Sequence, residues 1–317
     1  MSENALAPKS ARESHGRTTG TRPFPGEATR NKRFDRLACT VALAVVIAIT
    51  ILNVIWAVRD WHLHDMDVYW NAGQMWRNGG NPYLLTASAD ANSVYRYAPW
   101  FAALWVPLTY LPRMAANVLW SGLLVVLAFV AVWPLVKQGG RAAYPLALLM
   151  WGVLFGMAAI GNAHGLMVAW MVWGVERRSG PLWIALAASL KVVPILCVLV
   201  YAGRRQWGRV AMTIALSVLL VAPMLLFERP PLAAEFGASN SLWSVAPWLW
   251  IASSAVALAA VAWVVLRRID WAWPTIGAAS NIILPRLFVY DVTLLLPGLA
   301  ETVKRMRDRR TAAAGDR

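Results

Sequence analysis

Apolar residues run almost unbroken through four stretches of the chain, 37–58, 115–136, 210–227 and 245–266. A helix needs about 20 such residues to cross a hydrocarbon core roughly 30 Å thick, so each stretch predicts a transmembrane helix. The first is longer than the apolar part of a secretory signal and ends in no small-x-small cleavage pattern, so it reads as an anchoring helix. Between 140 and 204 the pattern is less regular. Arg177 and Arg178 have the look of a cytoplasmic flank, as do Arg204 and Arg205, yet only one span's worth of residues separates the two pairs. Two arrangements satisfy this. Either the first pair lies outside, or 181–201 is a hairpin of two half-helices broken near Lys191 and Pro194, which is tolerated where it lines a polar cavity. The pattern predicts an all-α integral membrane protein, a polytopic helical bundle with about nine to eleven membrane segments.

Composition supports that class. The chain is 59% hydrophobic and only 15% charged, whereas soluble domains are nearer a quarter charged. The net charge of +14 raises the question of nucleic acid. The cations, however, gather where apolar runs stop: Arg30, Lys32, Arg33 and Arg36, then Arg204, Arg205 and Arg209, then Arg267 and Arg268, then Lys304 to Arg310. That is the positive-inside pattern, which makes these ends cytoplasmic, and no nucleic-acid partner is expected. Cys39 and Cys197 stand far apart inside apolar runs, so neither a disulfide framework nor a metal site is expected. No internal repeat is visible.

The expected division is a disordered basic cytoplasmic tail over 1–35, one membrane domain over 36–300 and a second basic cytoplasmic tail over 301–317. With the first tail inside, residues 62–97 lie on the outer face. Residues 97–112 would then return as a span, with Arg113 as a cytoplasmic marker, and 115–136 would go out again.

The stretch after the first span reads HDMDVYWNAGQMWRNGGNPY (64–83). Asp65, Tyr69, Ala72 and Trp76 recur at helical spacing, with Asn71, Arg77 and Asn78 on the polar side, and the run Asn78 to Pro82 stops the helix. The prediction is a short amphipathic helix along the outer interface. Asp65 opens it, where a carboxylate favours the helix dipole. It has two readings. It is a capping aspartate, or it is a general base at the mouth of a cavity, within reach of a hydroxyl that attacks an electrophilic carbon.

These residues resemble the first outer loop of glycosyltransferase family 87, bacterial enzymes of the C-type glycosyltransferase fold that use polyprenyl-phosphate sugars, commonly mannose. Asp65, Tyr69, Gly79 or Gly80, Pro82 and Tyr83 match its pattern. Further along, Tyr95-Arg96-Tyr97-Ala98-Pro99 is similar to the family's entry to the second span. Lys191 to Pro194 resembles its K-x-x-P element, and Tyr290-Asp291 with Leu294 to Pro297 resembles its closing segment. Gly161-Asn162-Ala163-His164 stands where the family usually has G-Q-x-N, and the chain is shorter than typical members, with a span or loop expected to be missing around 227–242.

The resemblance implies inverting transfer of a hexose, mannose above others, from a polyprenyl phosphate to a lipid or glycan acceptor at the outer face, with no cofactor. Asp65 would be the base, with Asp67 as runner-up; two residues on, Asp67 would point away from Asp65 on a helix. Lys191, Arg286 and Arg96 are the candidate partners of the donor phosphate. Tyr69, Tyr83, Tyr97, Asn162, His164, Tyr290 and Asp291 would bind substrate or support the site. Asp291 could orient a base, or pair with Lys191 or Arg286, and His164 reads as a satisfied polar residue between helices. His62, His64, Asp65 and Asp67 offer metal ligands, but their spacing matches no specific metal motif. Two other classes remain open at this level. One is a secondary transporter or lipid flippase with Lys191 and Asp291 in broken helices; the other is a non-catalytic relative.

Overall fold

The computed structural model describes residues 37–48, 51–52, 64–84, 95–174, 177–228, 242–284 and 288–315. Among them every regular element is helical, as backbone groups in lipid require. In chain order the helices longer than one turn are α1 (Leu37–Ala48), α2 (His64–Arg77), α3 (Pro99–Trp105), α4 (Arg113–Gly139), α5 (Tyr144–Ala159), α6 (His164–Gly174), α7 (Gly180–Leu190), α8 (Val198–Gly203) and α9 (Trp207–Val221), then α10 (Pro247–Arg267), α11 (Ala272–Ile283) and α12 (Leu296–Gly315). Among the described residues three stretches are long and apolar enough to cross a membrane: Arg113–Ala159, Trp207–Leu226 and Pro247–Arg267. In the second, only 6% of the most apolar window is buried in protein, so Met212, Val218 and Leu219 face the lipid. The protein is an all-α membrane protein.

The elements run between two ends. At one end α2 sits beside the start of α4, and the Trp120 indole donates to the Gly161 carbonyl at 2.7 Å. Asn81 reaches the Glu228 carbonyl there at 2.8 Å. The opposite end collects the turns after α4, α6, α8 and α10. Arg209 donates to the Arg177 carbonyl, Gly203 lies against Val265 and Ile269, and Gly139 against Val303. Arg305 pairs with Asp270 at 3.6 Å. Arg141, Arg177, Arg178, Arg204, Arg205, Arg267, Arg268 and Lys304 all flank these turns. This is the basic end.

The 180–203 stretch takes the second of its two arrangements. α7 leaves the basic end and stops at Lys191, whose backbone is extended (φ −139°, ψ 131°). A 3-10 turn, Val193–Cys197, and α8 then lead back, so that Tyr201 Oη lies 2.4 Å from where a Cβ on Gly180 would stand. The break follows from Pro194, which has no N–H for a continuing helix. Both arginine pairs therefore share one end.

Residues 97–112 do not cross, contrary to expectation. α3 has seven residues and the 3-10 turn Pro107–Tyr110 follows at once. Both lie along α2: the Tyr69 ring is 5.1 Å from Phe101 and 5.5 Å from Trp105, and Arg77 donates to the Thr109 carbonyl at 3.1 Å. Prolines 99, 107 and 112 break the stretch too often for a spanning helix. Arg113 accordingly ends beside α2. It pairs with Asp67 and lies 4.6 Å over the Trp70 ring, so it is no marker of the basic end. The α2 helix stops at the expected Asn78–Pro82 run, with Gly79 at φ +74°. It is buried more widely than a one-sided stripe implies: Met66, Val68, Tyr69, Trp70 and Ala72 are all in the core, and Asn71 and Arg77 are exposed.

α11 and α12 cross at a close seam that positions the turn between them. A Cβ on Gly298 would stand 2.4 Å from Pro274 Cα and 2.6 Å from its N, and backbone cannot yield. Gly298→Ala is expected to destabilise the protein by about 1–3 kcal/mol, read as a lower Tm in detergent.

Candidate active site

Asp65 is fixed from both its backbone and its side chain. Its N–H donates to the Ile160 carbonyl at 3.2 Å, and its Oδ2 accepts from Asn162 Nδ2 at 2.9 Å. Asn162 Oδ1 accepts from the His164 N–H at 2.8 Å, so the carboxamide is used at both ends and its NH2 is committed to Asp65. The local turn that permits this has Gly161 at φ +75°, a conformation suited to glycine. The same loop binds α2 a second time, because the Ala163 N–H donates to Tyr69 Oη at 3.2 Å. Tyr69 Oη lies 3.0 Å from Tyr97 Oη, and Tyr83 donates to the Tyr97 carbonyl at 2.7 Å. Burial pushes the Tyr69 hydroxyl well above the usual phenol range and Tyr97 up to about 12, so both stay protonated. Gly161 to His164 is thus a clamp holding Asp65 and Tyr69 one helical turn apart.

Across from this clamp lies a buried ion pair. Lys191 Nζ donates to Asp291 Oδ1 at 2.6 Å, and Asp291 Oδ2 accepts from the Phe288 N–H at 2.9 Å. The Asp291 side chain is 0% exposed and that of Lys191 29%. Lys191 also lies 4.9 Å over the Tyr290 ring. The Thr293 hydroxyl donates to the Tyr290 carbonyl at 2.7 Å, which leaves its oxygen to accept from His164 Nε2 at 2.8 Å. That assigns the Nε2–H tautomer to a neutral His164. Its Nδ1 makes no hydrogen bond among the described residues and points toward Asp291 Oδ1 at 4.0 Å.

Clamp and ion pair share a pocket of about 30 Å³, lined by Tyr97, Asn162, His164, Lys191 and Tyr290 over Met167 and Leu190. Such a volume holds about one or two water molecules. A carboxylate beside this pocket and an ammonium on its wall can together move a proton and neutralise an anion.

The sequence candidates divide accordingly. Tyr97, Asn162, His164, Lys191 and Tyr290 line the pocket, and Asp65, Tyr69, Tyr83 and Asp291 hold those residues by direct bonds. Asp67 turns away toward Arg113. Arg96 follows Tyr95 outside the pocket lining, although its charge acts on the Tyr97 hydroxyl. Arg286 and His62 lie outside the described residues. Sequence reasoning missed Thr293, Ser189 and Trp100. Thr293 stands three residues after Tyr290, the repeat of the 3-10 turn Val289–Leu295 that carries both. Trp100 Nε1 donates to Ser189 Oγ at 3.0 Å and ties α3 to α7, a contact with no local signal.

Fold and pocket together define a helical membrane protein with a fixed carboxylate beside a small pocket that has an ion-paired ammonium on its wall. Comparison adds a partial likeness: the model for glycosyltransferase family 87 matches residues 95–237, a little under half the chain, and it is the family that the motifs resemble. The matched stretch takes in Tyr97, Asn162, His164 and Lys191, with Asp65 before it and Asp291 after it. No curated protein and no solved structure matches the chain.

Proposed function

We propose that the protein transfers a hexose, mannose first among the candidates, from a polyprenyl phosphate to a hydroxyl of a lipid or glycan acceptor. The transfer proceeds with inversion on the extracytoplasmic side of the bacterial cell membrane. The side is inferred from charge. The basic end carries the arginine-rich turns and by the positive-inside rule faces the cytoplasm, which leaves α2 and Asp65 at the other surface.

The observation that carries the reading is the bond from Asn162 to Asp65, which sets a carboxylate next to the pocket that contains Lys191. Asp65 takes the proton of the acceptor hydroxyl as that oxygen bonds to the anomeric carbon. The bond from this carbon to the phosphate oxygen breaks on the opposite face. Polyprenyl phosphate leaves with the electron pair, and Lys191 neutralises it. One base and one displacement suffice, with no sugar bound covalently to the protein. At about 30 Å³ the pocket is far smaller than a drug-sized ligand site of roughly 300–1,000 Å³, so a single polar group of the donor enters it and the sugar lies at its mouth. Asp291 keeps Lys191 aimed there, and Arg96 is a second phosphate contact. Asp67, engaged by Arg113, supports α2.

The test is transfer in proteoliposomes with labelled polyprenyl-phosphate mannose, polyprenyl-phosphate glucose or a nucleotide sugar as donor, and NMR of the product's anomeric centre. Transfer from a lipid phosphate with inversion supports the proposal. Transfer from the nucleotide sugar alone, or retention of configuration, overturns it. Asn162→Ala removes the donor to Asp65 and the acceptor of the His164 N–H. It is expected to cost about 1 kcal/mol of stability, as a lost helix cap does, and to slow transfer without abolishing it.

A further inference from the structure

At the basic end, a pocket of about 230 Å³ opens between α4, α6, α11 and α12. Its inner wall is apolar and includes the indoles of Trp173 and Trp273; Gln138, Arg177, Glu301 and Lys304 complete its lining. Arg177 and Lys304 are exposed. The Arg177 guanidinium lies 4.6 Å over the Trp173 ring, and the Trp173 indole N–H is bound to the Val130 carbonyl, so the platform under that cation is itself anchored. Glu301, the one carboxylate among the described lining residues, is bonded to Arg305 at 3.1 Å. The lining is therefore net cationic.

A second feature is independent of charge. Gln138 Oε1 is buried and has no hydrogen-bond partner among the described residues. A buried carbonyl oxygen left without a donor is unfavourable, and a ligand hydroxyl would satisfy it.

We propose that this pocket binds the headgroup of an anionic phospholipid that carries a free hydroxyl, of the phosphatidylglycerol type. The phosphodiester sits between Arg177 and Lys304, the hydroxyl donates to Gln138 Oε1, and the first methylenes of the lipid lie on Trp173 and Trp273. Basic pockets between membrane helices suit such headgroups, and indoles favour that depth of the bilayer. At about 230 Å³ it has room for a phosphodiester and its substituents, which the 30 Å³ pocket beside Asp65 lacks. The proposal uses no residue of the sugar-transfer site and stands apart from it.

Native mass spectrometry of the full chain in detergent, offered phosphatidylglycerol and phosphatidylcholine in equal amounts, tests it. The expected result is retention of phosphatidylglycerol at least about fivefold over phosphatidylcholine, the factor that one interfacial cation contributes. R177Q/K304Q brings that ratio to about one, whereas R267Q/R268Q at the same end leaves it unchanged. Gln138→Leu lowers retention of phosphatidylglycerol to that of an anionic phospholipid without the hydroxyl. Equal retention of both lipids by the unaltered protein, or equal loss in the two double variants, overturns the proposal. Full competition by glycerophosphoglycerol, which has no acyl chains, overturns the lipid assignment in favour of a soluble phosphodiester.

Discussion

Asp65→Asn is expected to slow sugar transfer by about 10²–10⁴-fold, the range that a positioned general base contributes. The substitution is nearly isosteric, and an amide oxygen at residue 65 can still accept from Asn162 Nδ2, a bond of 2.9 Å to the carboxylate. The variant should therefore fold and extract from membranes normally, with a Tm close to that of the unaltered protein. Asp67→Asn is the informative contrast. It weakens the pair with Arg113, whose two side chains are 32% and 30% exposed, so it is expected to cost at most about 1 kcal/mol and leave transfer nearly intact. Initial rates with labelled donor, measured on both variants in the same proteoliposomes, separate the two aspartates. Equal losses from both would remove Asp65 from its proposed role.

The second large effect concerns the Lys191–Asp291 pair. Lys191→Ala strands a carboxylate that is 0% exposed, and breaking a buried pair in this way costs about 3–5 kcal/mol. Asp291→Asn leaves a lysine that still reaches the pocket, 29% exposed, and is expected to cost less. The double variant K191M/D291L removes both charges. It should recover a large share of the stability lost in Lys191→Ala, since neither charge remains to be solvated. It should not recover transfer. Thermal unfolding in detergent gives the stability cycle, and the transfer assay on the same samples gives the other half. Recovered transfer in the double variant would mean that Lys191 serves packing alone.

The parts of the architecture that were legible in the sequence are those set by local pattern. The apolar runs 115–136, 210–227 and 245–266 correspond to Arg113–Gly139, Trp207–Leu226 and Pro247–Arg267, the first lying wholly inside its element and the other two overhanging theirs at one end, because length and hydropathy decide such helices. The stop after α2 was legible for the same reason, as Asn78 to Pro82 leaves no helical continuation. The break at Lys191 could be named only as one of two arrangements. Choosing between them required the contact of Arg209 with Arg177, which closes the hairpin from 32 residues away. The misreading of 97–112 has a definite cause. The sequence presents Arg113 as a charge seeking cytoplasmic water, whereas Asp67 and the Trp70 ring satisfy it beside α2. Charge rules for topology count cations that are left to the solvent.

The site was legible as residues and not as bonds. Asp65 and Asn162 each belong to a recognisable motif, but 97 positions separate them, and no periodicity links α2 to the turn before α6. Lys191 and Asp291 are 100 positions apart, and the sequence could offer that pair only beside an alternative with Arg286. Tyr69 shows what local pattern hides. Its spacing from Asp65 suggests a shared helix face, while its function in the fold is to accept from the Ala163 N–H and so fasten the same turn that fastens Asp65.

The most direct measurement is an electron cryomicroscopy structure of the full chain in a lipid nanodisc with polyprenyl-phosphate mannose bound and Asp65→Asn to stall transfer. The expected density has the phosphate within hydrogen-bond distance of Lys191 Nζ and the anomeric carbon turned toward residue 65, with the prenyl chain leaving between helices into the bilayer. Donor bound at the basic end, or bound beside α2 with its phosphate remote from Lys191 and its sugar turned away from residue 65, would contradict the mechanism.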